Sequence, residues 1–135
     1  MPTPAEIGLA RWHDVIASHS PDRLPELIAE DAVFRSPAVH APQEGRELVA
    51  AYLGAAMVVL GDGFSYVDEW IRERDAILEF TSTVGDLEIS GIDRITWDDN
   101  GRIVAFTVMV RPVRALHALM ERMAERLGHG GVRHT

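Results

Sequence analysis

The 135-residue sequence contains no cysteine and no lysine; all 13 of its cations are arginine. Without cysteine there is no disulfide framework, no thiolate nucleophile, no iron–sulfur cluster and no cysteine-ligated zinc. Without lysine there is no Schiff base and no P-loop lysine. Positive charge is scarce as a whole: 13 basic against 21 acidic residues leaves a formal net charge of −8. That balance opposes phosphate-backbone binding, so nucleic acid is not an expected partner. Long apolar runs are missing too. The longest stretch free of charge, residues 48–61, falls short of the ~20 apolar residues that span a bilayer. The N-terminus has no basic segment followed by an apolar one, so it does not read as a secretory signal. The expectation is a soluble, cytoplasmic protein with no membrane association. No GxSxG elbow, GxGxxG loop or P-loop supports triad hydrolysis or nucleotide binding.

What is present is an ordinary globular balance, 47% apolar and 25% charged, over a length that suits one domain. Thr3-Pro4-Ala5-Glu6 has the pattern of a capping box with proline at the first helical position. Leu9, Trp12, Val15 and Ile16 then keep helical spacing to about Ser18. Ser20-Pro21 opens a short helix carrying Leu24, Leu27 and Ile28, and residues 32–36 read as a brief strand ended by Pro37. After a proline-containing loop, residues 46–60 form a helix apolar around most of its circumference, which predicts burial on all sides.

The second half changes period. Residues 64–72, 76–84, 87–97 and 102–111 are four runs rich in β-branched and aromatic residues, joined by hairpin-length turns. They predict an antiparallel meander. Pro112 starts a closing helix with Val113, Leu116, Leu119, Met120, Met123 and Leu127 on one side and Gly128 at its end. Residues 129–135 read as a frayed tail. Helices, then a meander, then a helix predict a single α+β domain over residues 1–135, with its core at about 5–127. A curved sheet with helices across one face leaves a cavity between them, where a ligand would bind.

Most of the acids fall at turns, helix ends and polar strand faces, where they solvate the chain. Asp93 does not. Period-two alternation puts it with Leu87, Ile89, Gly91, Ile95 and Trp97 on the apolar face of its strand. An ionised carboxylate there costs several kcal/mol unless it finds donors or raises its pKa. A neutral aspartic acid in an apolar cavity can serve as general acid or base; a structural acid bonded to an indole, a phenol or the backbone is the competing reading. Trp12, Phe34, Ser36, Tyr52, Met57, Trp70 and Trp97 are candidates for the cavity lining, with plain core as their alternative. Tyr52, a phenol in an apolar helix, needs a partner, and Asp93 is a candidate.

None of the six histidines makes a His-x3-His or HExxH pattern, so neither a metal nor another cofactor is expected. His13 faces either the cavity or solvent, and His40 lies in the loop after Pro37. The arginines of the last helix alternate with Glu121 and Glu125 as a solvated mixed-charge face. Ile92, Val104 and Phe106, on strands whose other faces are core, suggest an apolar patch through which the sheet forms a homodimer.

The run from Gly91-Ile92-Asp93-Arg94 through Thr96-Trp97-Asp98-Asp99-Asn100-Gly101 to Ile103 resembles a strand–turn–strand of the nuclear transport factor 2-like superfamily, in its ketosteroid isomerase and SnoaL-like branches. Arg11-Trp12-His13-Asp14, Glu30-Asp31-Ala32-Val33-Phe34 and Gly45-Arg46-Glu47-Leu48 follow that family's order of elements. The resemblance spans about residues 5–127. It implies a cone-shaped barrel: a strongly bent antiparallel or mixed sheet wrapped around about three N-terminal helices, plus a C-terminal helix. In the isomerase branch, the oxyanion-hole aspartic acid falls on Asp93, the catalytic base on Ser36 and the oxyanion tyrosine on Trp12. Serine is too weak an acid to act as the base, and an indole N–H has no acidity to match an enolate, which argues against steroid isomerisation. The related limonene epoxide hydrolases carry an arginine where this chain has Gly91. The resemblance therefore implies a pocket for a small apolar molecule, with Asp93 as acid/base of a SnoaL-like lyase, cyclase or isomerase. The alternative is a non-catalytic ligand binder or accessory protein of the same fold.

Overall fold

The computed structural model describes residues 1–128; the tail expected to fray lies outside the described residues. Helix α1 (Pro4–Ser18) starts as its sequence dictates. Thr3 Oγ1 accepts from the Glu6 amide at 3.1 Å, and Glu6 Oε1 accepts from the Thr3 amide at 2.9 Å. Such a cap stabilises a helix by about 1 kcal/mol. A 3-10 helix (Pro21–Leu27) follows, and strand β1 (Ile28–Arg35) begins earlier than expected, taking Ile28 from the helix. Within the loop after it, Gln43–Glu44 forms a two-residue strand, β2, paired antiparallel with β1. Helix α2 (Arg46–Leu60) is seated on β1 by the Gly45 amide on Ala32 O at 2.9 Å and Arg46 Nε on Ile28 O at 2.8 Å.

α2 corrects one expectation. It buries Val49, Tyr52, Leu53 and Ala55 but exposes Leu48 and Val58, so it covers the core from one side instead of crossing it. Its composition reads as fully buried because its outer face is made of Ala, Val and Leu rather than charge.

The meander is present: β3 (Ser65–Ile71), β4 (Asp75–Val84), β5 (Leu87–Trp97) and β6 (Ile103–Arg111) pair antiparallel in sequence order. β1 adds to β6 in parallel, giving an open, mixed six-stranded sheet of order β2-β1-β6-β5-β4-β3. Helix α3 (Val113–Leu127) returns across the sheet, where Ala115 and Leu119 pack on Val84 and Ile89.

The helices lie against one face. There Leu78, Phe80, Ile95, Trp97, Ile103 and Phe106 are buried. Each such side chain contributes about 1.5–3 kcal/mol of hydrophobic stabilisation. Trp97 closes the end of this core against Gly8 of α1, whose missing side chain lets the indole lie on the helix backbone. Ser82, a buried hydroxyl on β4, donates to Leu60 O at 2.7 Å and ties the end of α2 to the sheet.

The other face carries Trp70, Ile77, Ile92, Arg94, Thr107 and Met109 around a shallow groove. Phe106 is not part of it. That ring is on the helix side and 1% exposed, because β6 alternates Phe106, Val108 and Val110 inward. Trp70, at 53%, and Met109, at 57%, are the exposed apolar residues of that outer face.

Candidate functional site

Between the helices and the inner face of β3–β6 lies a cavity of about 270 Å³, near the lower end of the roughly 300–1,000 Å³ of small-molecule pockets. α1 contributes Trp12 and Ile16, and α2 contributes Tyr52, Leu53 and Met57. α3 adds Leu116, Leu119, Met120 and Met123, and residues 36–39 of the loop after β1 add a fourth side. Three methionines in one lining give adaptable, polarisable surface.

One aromatic wall runs through it. Tyr52 meets Phe34 at 5.7 Å between ring centroids, Phe34 meets Phe106 at 6.0 Å, and Phe106 meets Trp12 at 5.2 Å. A second set, Phe80, Phe64 and Tyr66, is packed at 5.1 and 4.8 Å. The two sets are joined by a hydrogen bond, the Trp12 indole Nε1 donating to Tyr66 Oη at 2.9 Å.

Tyr66 Oη donates in turn to Asp93 Oδ2 at 2.6 Å. Asp93 is 6% exposed, projecting from the middle of β5, where it is paired with Leu78 and Val108. Burial pushes its carboxyl up to about 7, while the hydrogen bond from Tyr66 pulls it down. A carboxyl with that pKa holds both protonation states near neutral pH, as general acid–base transfer requires. Burial, and then the charge of Asp93, hold the Tyr66 phenol well above its ordinary range. Tyr52 is raised by burial.

Ser36 Oγ accepts from the Ala38 and Val39 amides at 3.2 and 3.3 Å, which shapes the loop. Its O–H remains a donor, and its oxygen is no base. His13 is turned to Glu69, at 3.1 Å, with its ring edge-on to Tyr66 at 5.6 Å. His40 is exposed and is not among the lining residues. Among the described residues, no three His, Cys, Asp or Glu side chains cluster as a metal site.

Of the residues singled out from the sequence, Trp12, Phe34, Ser36, Tyr52, Met57 and Asp93 meet at this cavity. Two do not. Trp97 is in the core against Gly8, and Trp70 is on the opposite face of the sheet. Trp70 is displaced by a register shift between Tyr66 and Asp68 in the β3–β4 pairing. Strict alternation from Phe64 puts Tyr66 and Trp70 on one face; the extra residue sends Tyr66 inward and Trp70 outward. The phenol on Asp93 is accordingly that of Tyr66 rather than Tyr52. Phe64, Phe80, Phe106 and His19 also line the cavity. Alternation from Asp93 along β5, carried across to β4 and β6, was the signal available for Phe80 and Phe106.

No match was found among curated proteins. Among solved structures, the chain is similar to a steroid delta-isomerase from Pseudomonas aeruginosa: 43% identity, 94% of this chain, 93% of that one, TM-score 0.89. It is similar to a bacterial protein with a cystatin-like fold from Silicibacter pomeroyi: 34% identity, 89% and 84% coverage, TM-score 0.83. An NTF2-like protein from Mesorhizobium loti is 27% identical over 81% of this chain and 91% of its own, with a TM-score of 0.69. Residues 9–106 match the SnoaL-like domain family. With that match over most of its length and the open, mixed six-stranded sheet with helices against one face, the chain belongs to the SnoaL-like domain family, on the nuclear transport factor 2-like fold.

Proposed function

We propose that the cavity binds a small, neutral, largely apolar cyclic molecule and that Asp93 moves a proton on it, as a lyase, cyclase or isomerase. One observation carries this reading: a buried carboxyl, held near neutral pKa, stands in an apolar cavity with one oxygen bonded to Tyr66 and the other free of any described partner. Among the described residues no arginine lines the cavity, so an anionic ligand would meet Asp93 there without a counter-charge. The aromatic wall favours a flat ligand. The Pseudomonas relative is named a steroid delta-isomerase, and a carbonyl on a fused-ring ligand suits a protonated Asp93. Ser36, where that branch has its base, has no chemistry to remove a carbon-bound proton.

A β,γ-unsaturated ketosteroid and a bicyclic enone are suitable probes. The proposal expects thermal stabilisation by at least one of them, with product formed by the wild type and turnover at least about 100-fold lower in Asp93→Asn. Unchanged turnover in Asp93→Asn removes Asp93 from the chemistry. Stabilisation without product favours the second reading, a non-catalytic binder, which Ser36 in place of a base supports. No stabilisation by any flat neutral probe sinks both.

The same reading includes a homodimer through the outer sheet face. The apolar area there is Trp70, Ile77, Ile92 and Met109, bordered by Arg72 and Arg94. No described element covers it, and isologous contact would bury it.

A further inference from the structure

Trp12 has a single polar atom, an indole N–H that donates and never accepts. It is spent on Tyr66 Oη at 2.9 Å. Tyr66 has one proton, and that proton goes to Asp93 Oδ2 at 2.6 Å. The direction of this chain is set at its first link. Were residue 12 a hydroxyl, donor and acceptor could exchange, and Tyr66 could turn its proton toward α1. Against an indole it cannot.

Two consequences reach Asp93. Oδ2 accepts in both protonation states: Tyr66 holds one of its two lone-pair sites, and a proton on the other would weaken the acceptor that Tyr66 uses, which favours Oδ1 as the protonated oxygen. Oδ1 has no hydrogen-bond partner among the described residues, and it is not sealed in, since no fully enclosed side-chain oxygen there lacks a partner. Asp93 itself lines the cavity.

We infer that Trp12 is a positioning residue: it holds Tyr66 as a one-way donor and thereby biases the exchangeable proton of Asp93 toward Oδ1, the oxygen that meets the ligand. The use of that proton rests on the proposed acid/base role of Asp93; the order of the hydrogen bonds does not. In the forward step the Oδ1–H bond breaks, and the proton forms a bond to an acceptor atom of the ligand. The carboxylate left behind is held by the Tyr66 O–H. In the return step Oδ1 takes a proton from the ligand, and no other group is consumed.

Among the described residues, few titratable groups face this chain of hydrogen bonds. From α1 comes His13, edge-on to Tyr66 and paired with Glu69 of β3. From the cavity wall come Tyr52 of α2 and His19 at the end of α1. None is removed by the test.

The test is a pair of NMR titrations on the ligand-free protein, following the Asp93 side-chain carbon and the Trp12 indole N–H. The indole resonance should shift with the same midpoint as Asp93, and that response should vanish in Tyr66→Phe. Trp12→Phe keeps a ring against Phe106 and removes the donor. It should raise the Asp93 midpoint, in the same direction as Tyr66→Phe, which should raise it by about 1 pH unit. A folded Trp12→Phe with an unmoved Asp93 midpoint overturns the inference. If that variant fails to fold, the wild type decides: an indole resonance flat through the Asp93 midpoint overturns it as well. A structural role for Trp12 would move stability and neither of these readouts. No ligand is involved, so a failed turnover assay on Asp93→Asn leaves this inference standing, and the reverse holds too.

Discussion

Tyr66 on β3 reaches Asp93 on β5 across the intervening strand β4: its hydroxyl donates to Asp93 Oδ2 at 2.6 Å, while the two residues are 27 apart in sequence. The register shift after Tyr66 parts it from Trp70 along the edge strand β3, leaving Tyr66 inward and Trp70 outward. The Tyr66 hydrogen bond leaves a buried acid with one donor, enough to hold it in place and too little to keep it ionised at the ordinary carboxylate pKa.

The raised pKa of Asp93 is also a stability statement. The folded state binds this proton more tightly than the unfolded chain, so the group's contribution is fully present below about pH 4 and is lost as pH rises toward about 7. Wild-type melting temperature should therefore carry a falling component between these limits. Asp93→Asn should lack it and should melt higher than the wild type at pH 8. Parallel melting curves of the two proteins from pH 4 to 8 would contradict the assignment.

The two tyrosines of the chain should be told apart by alkaline titration. Both phenols are raised, Tyr52 by burial and Tyr66 further, by burial and the neighbouring carboxylate. Ultraviolet absorbance should show one tyrosine ionising first, and Tyr66 should ionise only with unfolding. In Tyr66→Phe the first step should remain and the late one should disappear.

Two glycines should resist alanine. At Gly8 alanine improves helix propensity by about 0.5–1 kcal/mol, but its methyl would overlap the Trp97 indole. At Gly91 the methyl would overlap the Met109 carbonyl oxygen and the Phe80 ring. Overpacking of this kind costs about 1–3 kcal/mol, so the clash outweighs the gain in the helix. Denaturant midpoints should fall for both variants, and Gly91→Ala should also weaken ligand binding, since Phe80 lines the cavity.

Homodimer formation through the outer face predicts a scattering mass of about twice 14.9 kDa at micromolar concentration. Trp70→Glu and Met109→Glu, on exposed positions away from the cavity, should halve it while leaving the melting behaviour of the monomer fold intact. A wild-type mass of one chain contradicts the dimer.

The sequence carries the capping box, the meander and the inward side of β5 plainly, because each is a local pattern with a fixed period. Asp93 stands out for the same reason: it breaks an apolar alternation. What alternation does not encode is a bulge. The single extra residue after Tyr66 puts Tyr66 and Trp70 on opposite faces, so the tryptophan that alternation offers to the cavity beside Tyr66 is turned away from it. Trp97 is on the expected face, yet at the end of the strand that meets Gly8, so the face is legible and the position along the cavity is not. The burial of α2 is misread because its solvent side is apolar: Leu48 and Val58 leave no polar stripe from which to orient the helix.

The proposed chemistry requires Asp93 to exchange its proton near neutral pH inside an apolar cavity. Carbon-13 NMR titration of the aspartate carboxyls, with Asp93 assigned from Asp93→Asn, measures this without a ligand. The expected Asp93 midpoint is near 7. A midpoint in the ordinary carboxylate range, about 4, would contradict it.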